Sequence, residues 1–498
     1  MQSDARDVRN PVVRVAFYDS EGEVVYDAAH GASDDVPVVP VGSPGTDALP
    51  LVIATVDGRT ALFESATAEA AREVVECVGT GDLPTDAASS VVEHDPGVDD
   101  FPVPDGPLAV GVRRTLAGAG WVRPTSLAGN PLVSADSDPI ARVDRVGLLG
   151  RGWGDARQDE PVAGSWRTAR DADGDPVVVV NGTDADPRAD ADRLLLGSLP
   201  LRVLEGALAI AGATGATDVV VALPENDPVV AGRVRDAADA VSAETGRDVE
   251  VAAVPGSYMA GEPTAVLEAL EGADRIEARR RPPGPDEHGL FERPTVVHTP
   301  RTLAAVRTLL ADPGGFDVDS ADPGTRLLTV HGETRRTVEL PTDATIAAAL
   351  PESVERTPSF ACVGGEFGGL TTDIDVPASA PALAGAGLGT NGALEPFGED
   401  DCAVAVAGRR VRFAREENCG RCVPCRAGSV QAHEKLRDVY DGEFDATRLR
   451  ELSRTMRNTS LCGFGRDAAR PLATALDRFE TDLRAHADGR CPAGVCSP

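Results

Sequence analysis

A chain of 498 residues is too long for one hydrophobic core and should divide into several domains. Its formal charge is −32, its acidic residues run along the whole length, and Lys435 is the one lysine among 48 basic residues, so it has no basic stripe and nucleic acid is excluded as a partner. The same balance is that of an extreme halophile, in which concentrated salt screens the self-repulsion of an acidic surface.

The N-terminus, Met1-Gln2-Ser3-Asp4, lacks the apolar run of a secretion signal, and no uncharged stretch is long enough to cross a bilayer. Nine cysteines, mostly in metal-like spacings, fit a reducing compartment. The expectation is a cytoplasmic protein without direct membrane insertion, free to dock on a membrane complex.

In chain order, residues 1–104 predict a small α/β unit, with strands at Val12–Tyr18 and Leu51–Val56 and a helix at Thr67–Val78. A Pro/Gly/Asp-rich stretch, Gly97–Pro107, leads into a larger α/β region over 105–320. There Pro176–Asn181 and Asp218–Leu223 are β-branched runs suited to strands buried on both faces, and Leu194–Ala213 between them is helical in character. Alternating strands and helices predict a mostly parallel sheet. Residues 325–375 predict a compact β-rich insert, with a hairpin from Arg326–Gly332 and Thr337–Leu340 and a short helix at Thr345–Leu350. A Gly/Ala/Pro-rich linker at 376–399 precedes a helical region, 400–498. In that region Leu472, Leu476, Phe479 and Leu483 form one apolar helical stripe, and Leu449, Leu452 and Met456 form another.

The chemistry is concentrated in cysteine spacing. Cys419-x2-Cys422-x2-Cys425 places three thiols on one tight turn, and Cys462 can close the site from a distant loop. Four thiolates in this three-plus-one arrangement point to a [4Fe–4S] cluster. Zinc also takes four thiolates, but more commonly from two C-x2-C pairs. His486-x4-Cys491-x4-Cys496 has zinc-ligand character too. The same tail also reads as free thiols, or as a Cys491–Cys496 disulfide. Cys362, on a predicted strand, reads as an inert buried thiol, and His433 as a solvated residue on a polar helix face.

The cysteine text, with Thr459–Gly465 and Cys491–Cys496, resembles the NADH-binding flavoprotein (F) subunit of NADH:quinone oxidoreductase. It is also similar to the corresponding subunits of NAD(P)-linked iron hydrogenases and formate dehydrogenases. Asp192–Gly197, Gly256–Glu262, Leu270-Glu271-Gly272, Arg281-Pro282-Pro283 and Pro294-Thr295 occur in that family's order. The resemblance implies a multidomain α/β protein with four parts. These are a Rossmann-like FMN/NAD-type α/β domain, a ubiquitin-like SLBB β-grasp insert, a C-terminal helical bundle carrying the cluster, and a degenerate thioredoxin-like N-terminal domain. Cys77 is the one cysteine of the first hundred residues, so that last domain has no [2Fe–2S] ligand set. Cys402 matches a recurrent cysteine of the family, which makes it the candidate fourth ligand of a structural Cys3His zinc site with His486, Cys491 and Cys496.

The resemblance further implies that NAD(P)H gives hydride to FMN and that single electrons leave through a cluster on Cys419, Cys422, Cys425 and Cys462. The partners implied are other subunits of an electron-transfer complex, such as a [2Fe–2S] subunit or a subunit of dehydrogenase or hydrogenase type. The implied FMN/NAD residues are Gly150, Arg151, Gly152, Gly154, Asn181, Asp184, Asp186, Tyr258, Gly261, Glu262 and Arg281.

Several of these positions depart from the family's text. The loop G-R-G-G-A-G-F-P-T-G-x-K-W reads Gly150-Arg151-Gly152-Trp153-Gly154-Asp155-Ala156 and then, after extra residues, Gly164-Ser165-Trp166. A flavin-facing acid becomes Thr183, G-E-E-T becomes Gly261-Glu262-Pro263-Thr264, a stacking aromatic becomes Gly284, and V-N-N reads Val297-His298-Thr299. Two readings stand: a subunit taking electrons from NAD(P)H through FMN, or a relay or scaffold that keeps its cluster without the flavin pocket. A third, a zinc-stabilised interaction protein, has the cysteine spacing against it.

Overall fold

The computed structural model describes residues 11–132, 138–183, 185–351 and 358–496. The N-terminal unit opens with β1 (Val12–Ala16), buried along its whole length, followed by α1 (Ser20–His30) and β2 (Val38–Val41), which lies parallel to β1. The Asp19 carboxylate caps α1 by accepting from Gly22 N at 2.9 Å. β3 (Leu51–Val56) and β4 (Arg59–Phe63) form a hairpin whose turn, Asp57-Gly58, has positive φ at both residues, 49° and 76°. That is the backbone twist a two-residue hairpin requires. Helix α2 (Ala68–Gly79), capped by Thr67, and strand β5 (Ser90–Glu93) complete a sheet ordered β2-β1-β3-β4-β5.

The central unit contains α3 (Pro139–Val146), α4 (Ala163–Asp171), β6 (Val177–Asn181), α5 (Ala191–Ser198), α6 (Pro200–Thr214), β7 (Asp218–Pro224), α7 (Pro228–Thr245), β8 (Val249–Val254), α8 (Ala265–Leu270), β9 (Thr295–His298) and α9 (Pro300–Ala311). Its sheet is parallel throughout, in the order β8-β7-β6-β9. The chain steps outward from β6 to β8 and then returns to the other side of β6. The crevice beyond the carboxyl ends of β6 and β9 is therefore the switch point at which such sheets bind ligands. The helical stretch Leu194–Ala213 is not one helix: α5 and α6 meet at 98°. Pro200 has no N–H with which to continue α5, and instead starts α6. Among the described residues no single helix is long and apolar enough to cross a membrane, and the bent pair α5–α6 is mostly core.

The third unit holds β10 (Thr325–Val330), β11 (Arg336–Pro341), β12 (Phe360–Val363), β13 (Gly369–Thr371), α10 (Ala380–Gly385) and β14 (Ala393–Phe397), with the sheet order β11-β10-β14-β12-β13. Residues 376–399 are thus not a linker. They carry α10 and the middle strand of this sheet, parallel to β10 and antiparallel to β12, with Ala393 and Leu394 fully buried. A composition rich in Gly, Ala and Pro hides a strand whose partners lie far off in sequence. The short helix expected at Thr345–Leu350 is a 3-10 turn, Ile346–Ala349.

The C-terminal unit is helical: α11 (Ala403–Glu417), α12 (Val423–Tyr440), α13 (Ala446–Thr459), α14 (Gly463–Asp467), α15 (Arg470–Arg478) and α16 (Glu480–Ala487). The stripe through Leu472, Leu476, Phe479 and Leu483 is buried but spans two helices. Phe479 leaves helical angles at the break and stands edge-on to Phe360, with ring centroids 5.6 Å apart.

Candidate functional site

Helix α11 ends at Asn418, whose amide donates to Ala414 O and Arg415 O, both at 2.9 Å, and whose Oδ1 accepts from Gly420 N at 3.1 Å. This turn, with Gly420 at φ 77°, throws Cys419 back toward Cys422, the N-cap of α12, and Cys425, in its first turn. Cys462 precedes α14, and backbone N–H groups of Gly465 and Phe464 point at its sulfur. A Cβ on Gly465 would lie 2.9 Å from Cys425 Cβ, so only glycine lets the two loops close. Burial pushes the Cys425 thiol well above its ordinary value of 9.0, and Cys422, Cys462 and Cys419 push it further. Burial also raises Cys462, to about 12, with the Glu262 charge and Cys419 adding to the effect. Four sulfurs that repel one another's charge share one site, and bound iron is what stabilises them as thiolates.

A second group lies in a different packing cluster of the helical unit. The ligand atoms of Cys402, His486, Cys491 and Cys496 all fall within 4.8 Å of one another. Cys402 Sγ, at the N-cap of α11, is 3.5 Å from His486 Nε2 on α16. His486 Nδ1 donates to Asp482 O at 2.7 Å, which leaves Nε2 unprotonated and free to bind a metal. Although burial works the other way, backbone N–H groups of Cys496, Val495 and Ala493 bring the Cys491 thiol down to about 6. Two soft thiols, a readily formed thiolate and one oriented imidazole make a zinc donor set.

The switch-point crevice lies next to the cysteine loops. Its inner edge is Asn181, whose amide donates to Gly154 O at 3.0 Å and to Gly261 O at 2.9 Å. Asp186 accepts from Asn391 Nδ2 at 2.6 Å and from Glu366 N at 3.1 Å. Trp153 is buried against Tyr258, with ring centroids 4.6 Å apart, and Tyr258 is ringed by Phe367, Phe413 and Phe464.

Of the residues singled out in the sequence, Gly154, Asn181, Asp186 and Gly261 line this crevice together. Gly152 backs it, packed on Thr299. Arg151 turns away: its buried guanidinium pairs with Asp322 and donates to Pro323 O. Gly150 faces Arg157 O and the Asp155 carboxylate. Tyr258 stands behind Trp153 in the aromatic cluster. Glu262 and Arg281 are spent on each other at 2.5 Å. Asp184 lies outside the described residues. Asp192, which opens the family-like stretch Asp192–Gly197, belongs to the site, as do Thr302 and Asn391, whose sequence neighbourhoods signal nothing. Asn391 sits in the stretch that reads as a linker. The roles expected for the other residues also hold in part: Cys362 is a buried thiol, whereas His433 is half-buried and contacts Arg415 at 3.1 Å.

A parallel α/β domain joined to a helical unit with four convergent cysteines defines an iron–sulfur subunit of the oxidoreductase class. Residues 405–486 match the NADH-ubiquinone oxidoreductase-F iron-sulfur binding region, and residues 143–308 match the Nuo51 FMN-binding domain. The NADP-reducing hydrogenase subunit HndC of Solidesulfovibrio fructosivorans is 30% identical over 399 residues, covering 74% of this chain and 79% of the relative. The F subunit of the NADH-quinone oxidoreductase of Streptomyces coelicolor is 31% identical over 392 residues, covering 72% and 86%. An NAD+-reducing [NiFe]-hydrogenase in the air-oxidized state shares the fold at a TM-score of 0.67 and 23% identity, over 96% of this chain and 85% of that one. The chain belongs to the family of F subunits of NADH:quinone oxidoreductase and their counterparts in NAD(P)-reducing hydrogenases, the oxidoreductase subunits through which electrons enter those complexes.

The cysteine loops fit a [4Fe–4S] cluster and the Cys402 group fits zinc. FMN is a different matter. The crevice encloses about 20 Å³, room for a water molecule, where a site for a ligand of that size needs several hundred. Beside Trp153 the residues present leave no room for FMN, although residues 143–308 match the FMN-binding domain of the family.

Proposed function

We propose that this chain transfers electrons within a multi-subunit oxidoreductase, with Cys419, Cys422, Cys425 and Cys462 holding a [4Fe–4S] cluster. When bound, the cluster supplies reversible one-electron chemistry. The observation that carries the reading is that Cys419, Cys422, Cys425 and Cys462 pack in one cluster although the last comes from a loop beyond α13. Burial of Cys425 and Cys462 among Tyr258, Phe464, Met456 and Trp153 keeps water from the site and sets the potential. Cys419 and Cys422 are part-exposed, on the side open to a partner.

The partners proposed are further subunits of the complex, of [2Fe–2S], hydrogenase or dehydrogenase type, in line with the complexes to which the relatives belong. Cys402, His486, Cys491 and Cys496 would hold a structural zinc clipping the tail to the start of α11. For the domains, we read residues 325–397 as the ubiquitin-like insert, since its last strand lies between its first and third. We read the N-terminal unit as thioredoxin-like, on the strength of its β-α-β start followed by a hairpin and helix. Low lysine and high acidity support a halophilic, cytoplasmic setting.

The test is anaerobic purification in high salt, iron and sulfide assays, and electron paramagnetic resonance after dithionite. Four irons per chain and a reduced-cluster signal are expected. A chain without iron after reconstitution would sink the reading.

A further inference from the structure

We infer that the switch-point crevice of this chain is permanently filled by its own side chains, with the Trp153 indole where a planar ring would lie and the Asp155 carboxylate where an anionic group would sit. The chain consequently takes no hydride. Given the cluster proposed above, electrons reach it singly from a reduced one-electron centre on a partner subunit.

The anion position is fully occupied. Asp155 Oδ1 accepts from Thr299 N at 2.8 Å and from His298 Nδ1 at 3.0 Å. Asp155 Oδ2 accepts from Gly152 N at 2.8 Å, Thr302 Oγ1 at 2.7 Å and Thr299 Oγ1 at 3.3 Å. The tautomer of His298 follows from its other nitrogen. Trp166 Nε1, a donor only, gives its proton to His298 Nε2 at 2.8 Å, so the His298 proton is on Nδ1 and points at Asp155. These donors cluster at the start of α9, where backbone N–H groups and the helix dipole favour negative charge. A second buried carboxylate, Asp192, accepts Arg301 N at the same helix end, at 3.0 Å, and pairs with the Arg301 guanidinium at 2.6 Å. At this helix end the N–H groups of Thr299 and Arg301 and the Thr302 hydroxyl are already bonded to a carboxylate, and a dianion would meet two buried negative charges.

The ring position is equally full. Trp153 N donates to Asn391 Oδ1 at 3.1 Å, which holds the indole in the cleft between the α/β and helical units. Trp153 Cζ3 would lie 3.1 Å from a Cβ on Gly261, and Trp153 Nε1 would lie 3.6 Å from a Cβ on Gly463, the residue after Cys462. A flat group abutting the cluster loop would need the space the indole takes. The roomier hollow nearby, about 340 Å³ between Gly182, Leu223, Asn226 and Gly256, is lined by no residue of either cysteine loop. A flavin there would not face the cluster.

The experiment uses the full chain purified anaerobically in high salt, with flavin released by acid and measured by fluorescence beside iron. Iron without flavin is expected, and added FMN should keep its fluorescence. The double variant Trp153→Ala, Asp155→Ala should quench FMN saturably, because it clears the cleft and frees the donors at α9. Its folding is checked by circular dichroism and retained iron. One flavin per wild-type chain, or saturable quenching of FMN by wild type, overturns the inference, as does a folded double variant that still ignores FMN. Missing iron would count against the electron-transfer reading alone.

Discussion

Cys402 Sγ and His486 Nε2 stand 3.5 Å apart across 84 residues of sequence, with the sulfurs of Cys491 and Cys496 closing the same tetrad. The group ties the start of the first C-terminal helix to the last helix and the tail. Purified protein should therefore carry zinc, and Cys496→Ser should lose it. The cost should be that of removing a cross-link, about 2–4 kcal/mol. Metal analysis and thermal melts check both. Unchanged zinc in the variant would remove the site.

Cys462→Ala should abolish the cluster while leaving zinc in place, since the two sets share no ligand and lie in different packing clusters. Iron should fall to background with loss of visible absorption. The cavity left between α12 and α14 should lower stability as well. Simultaneous loss of zinc would show that the two centres are not independent.

Asp155 should contribute to an acid transition. Burial opposes its ionisation, but hydrogen bonds from His298, Thr302 and Thr299 overcome that and hold the carboxyl below its ordinary 3.8. A depressed carboxylate stabilises the fold fully above its unfolded value, and the contribution is lost as pH falls through the lower folded value. Asp155→Asn should cost about 2–3 kcal/mol at neutral pH, the order for a lost charged hydrogen-bonding group. It should also flatten the pH dependence of stability below about pH 4. Chemical denaturation at several pH values measures this.

Arg410 is a buried joint between units. Its guanidinium pairs with Glu366 at 2.6 Å and with Glu395, and Arg188 reaches the same two carboxylates at 3.0 and 3.3 Å. Arg410→Met leaves Glu366 and Glu395 buried with only the half-exposed Arg188 between them. A loss of about 3–5 kcal/mol is expected from a denaturant titration.

Salt should act on the whole molecule. A net charge of −32 repels itself most strongly when unscreened, so dilution to about 0.01 M salt, where the screening length is ~30 Å, should lower the melting temperature steeply. A melting temperature indifferent to salt would refute the halophile reading.

Local elements were legible in the sequence where the physics is local. The β6 and β7 runs are strands because valine suits a strand buried on both faces, and Thr67 starts α2 because its side chain accepts from Ala70 N. The break at Phe479 and the strand at Ala393–Phe397 were not, since each depends on what packs against it, whereas the break at Pro200 is local to the proline that starts α6. Among site residues, the cysteines could be read from spacing alone. Asp155 could not: an acid in a glycine loop gives no sign that donors from Thr299, His298 and Thr302, far along the chain, converge on it with Gly152 N.

By itself the sequence determined which atoms could bind iron, because three thiols on one turn and a fourth after a helix allow few other uses. It also determined the acidic surface. Only the tertiary structure decided that Cys402 joins the tail, and that Trp153 and Asp155 occupy the crevice between β6 and β9. The physical reason is that ligand convergence and free volume are properties of packed neighbours, and a chain lists its residues in order without stating which ones meet.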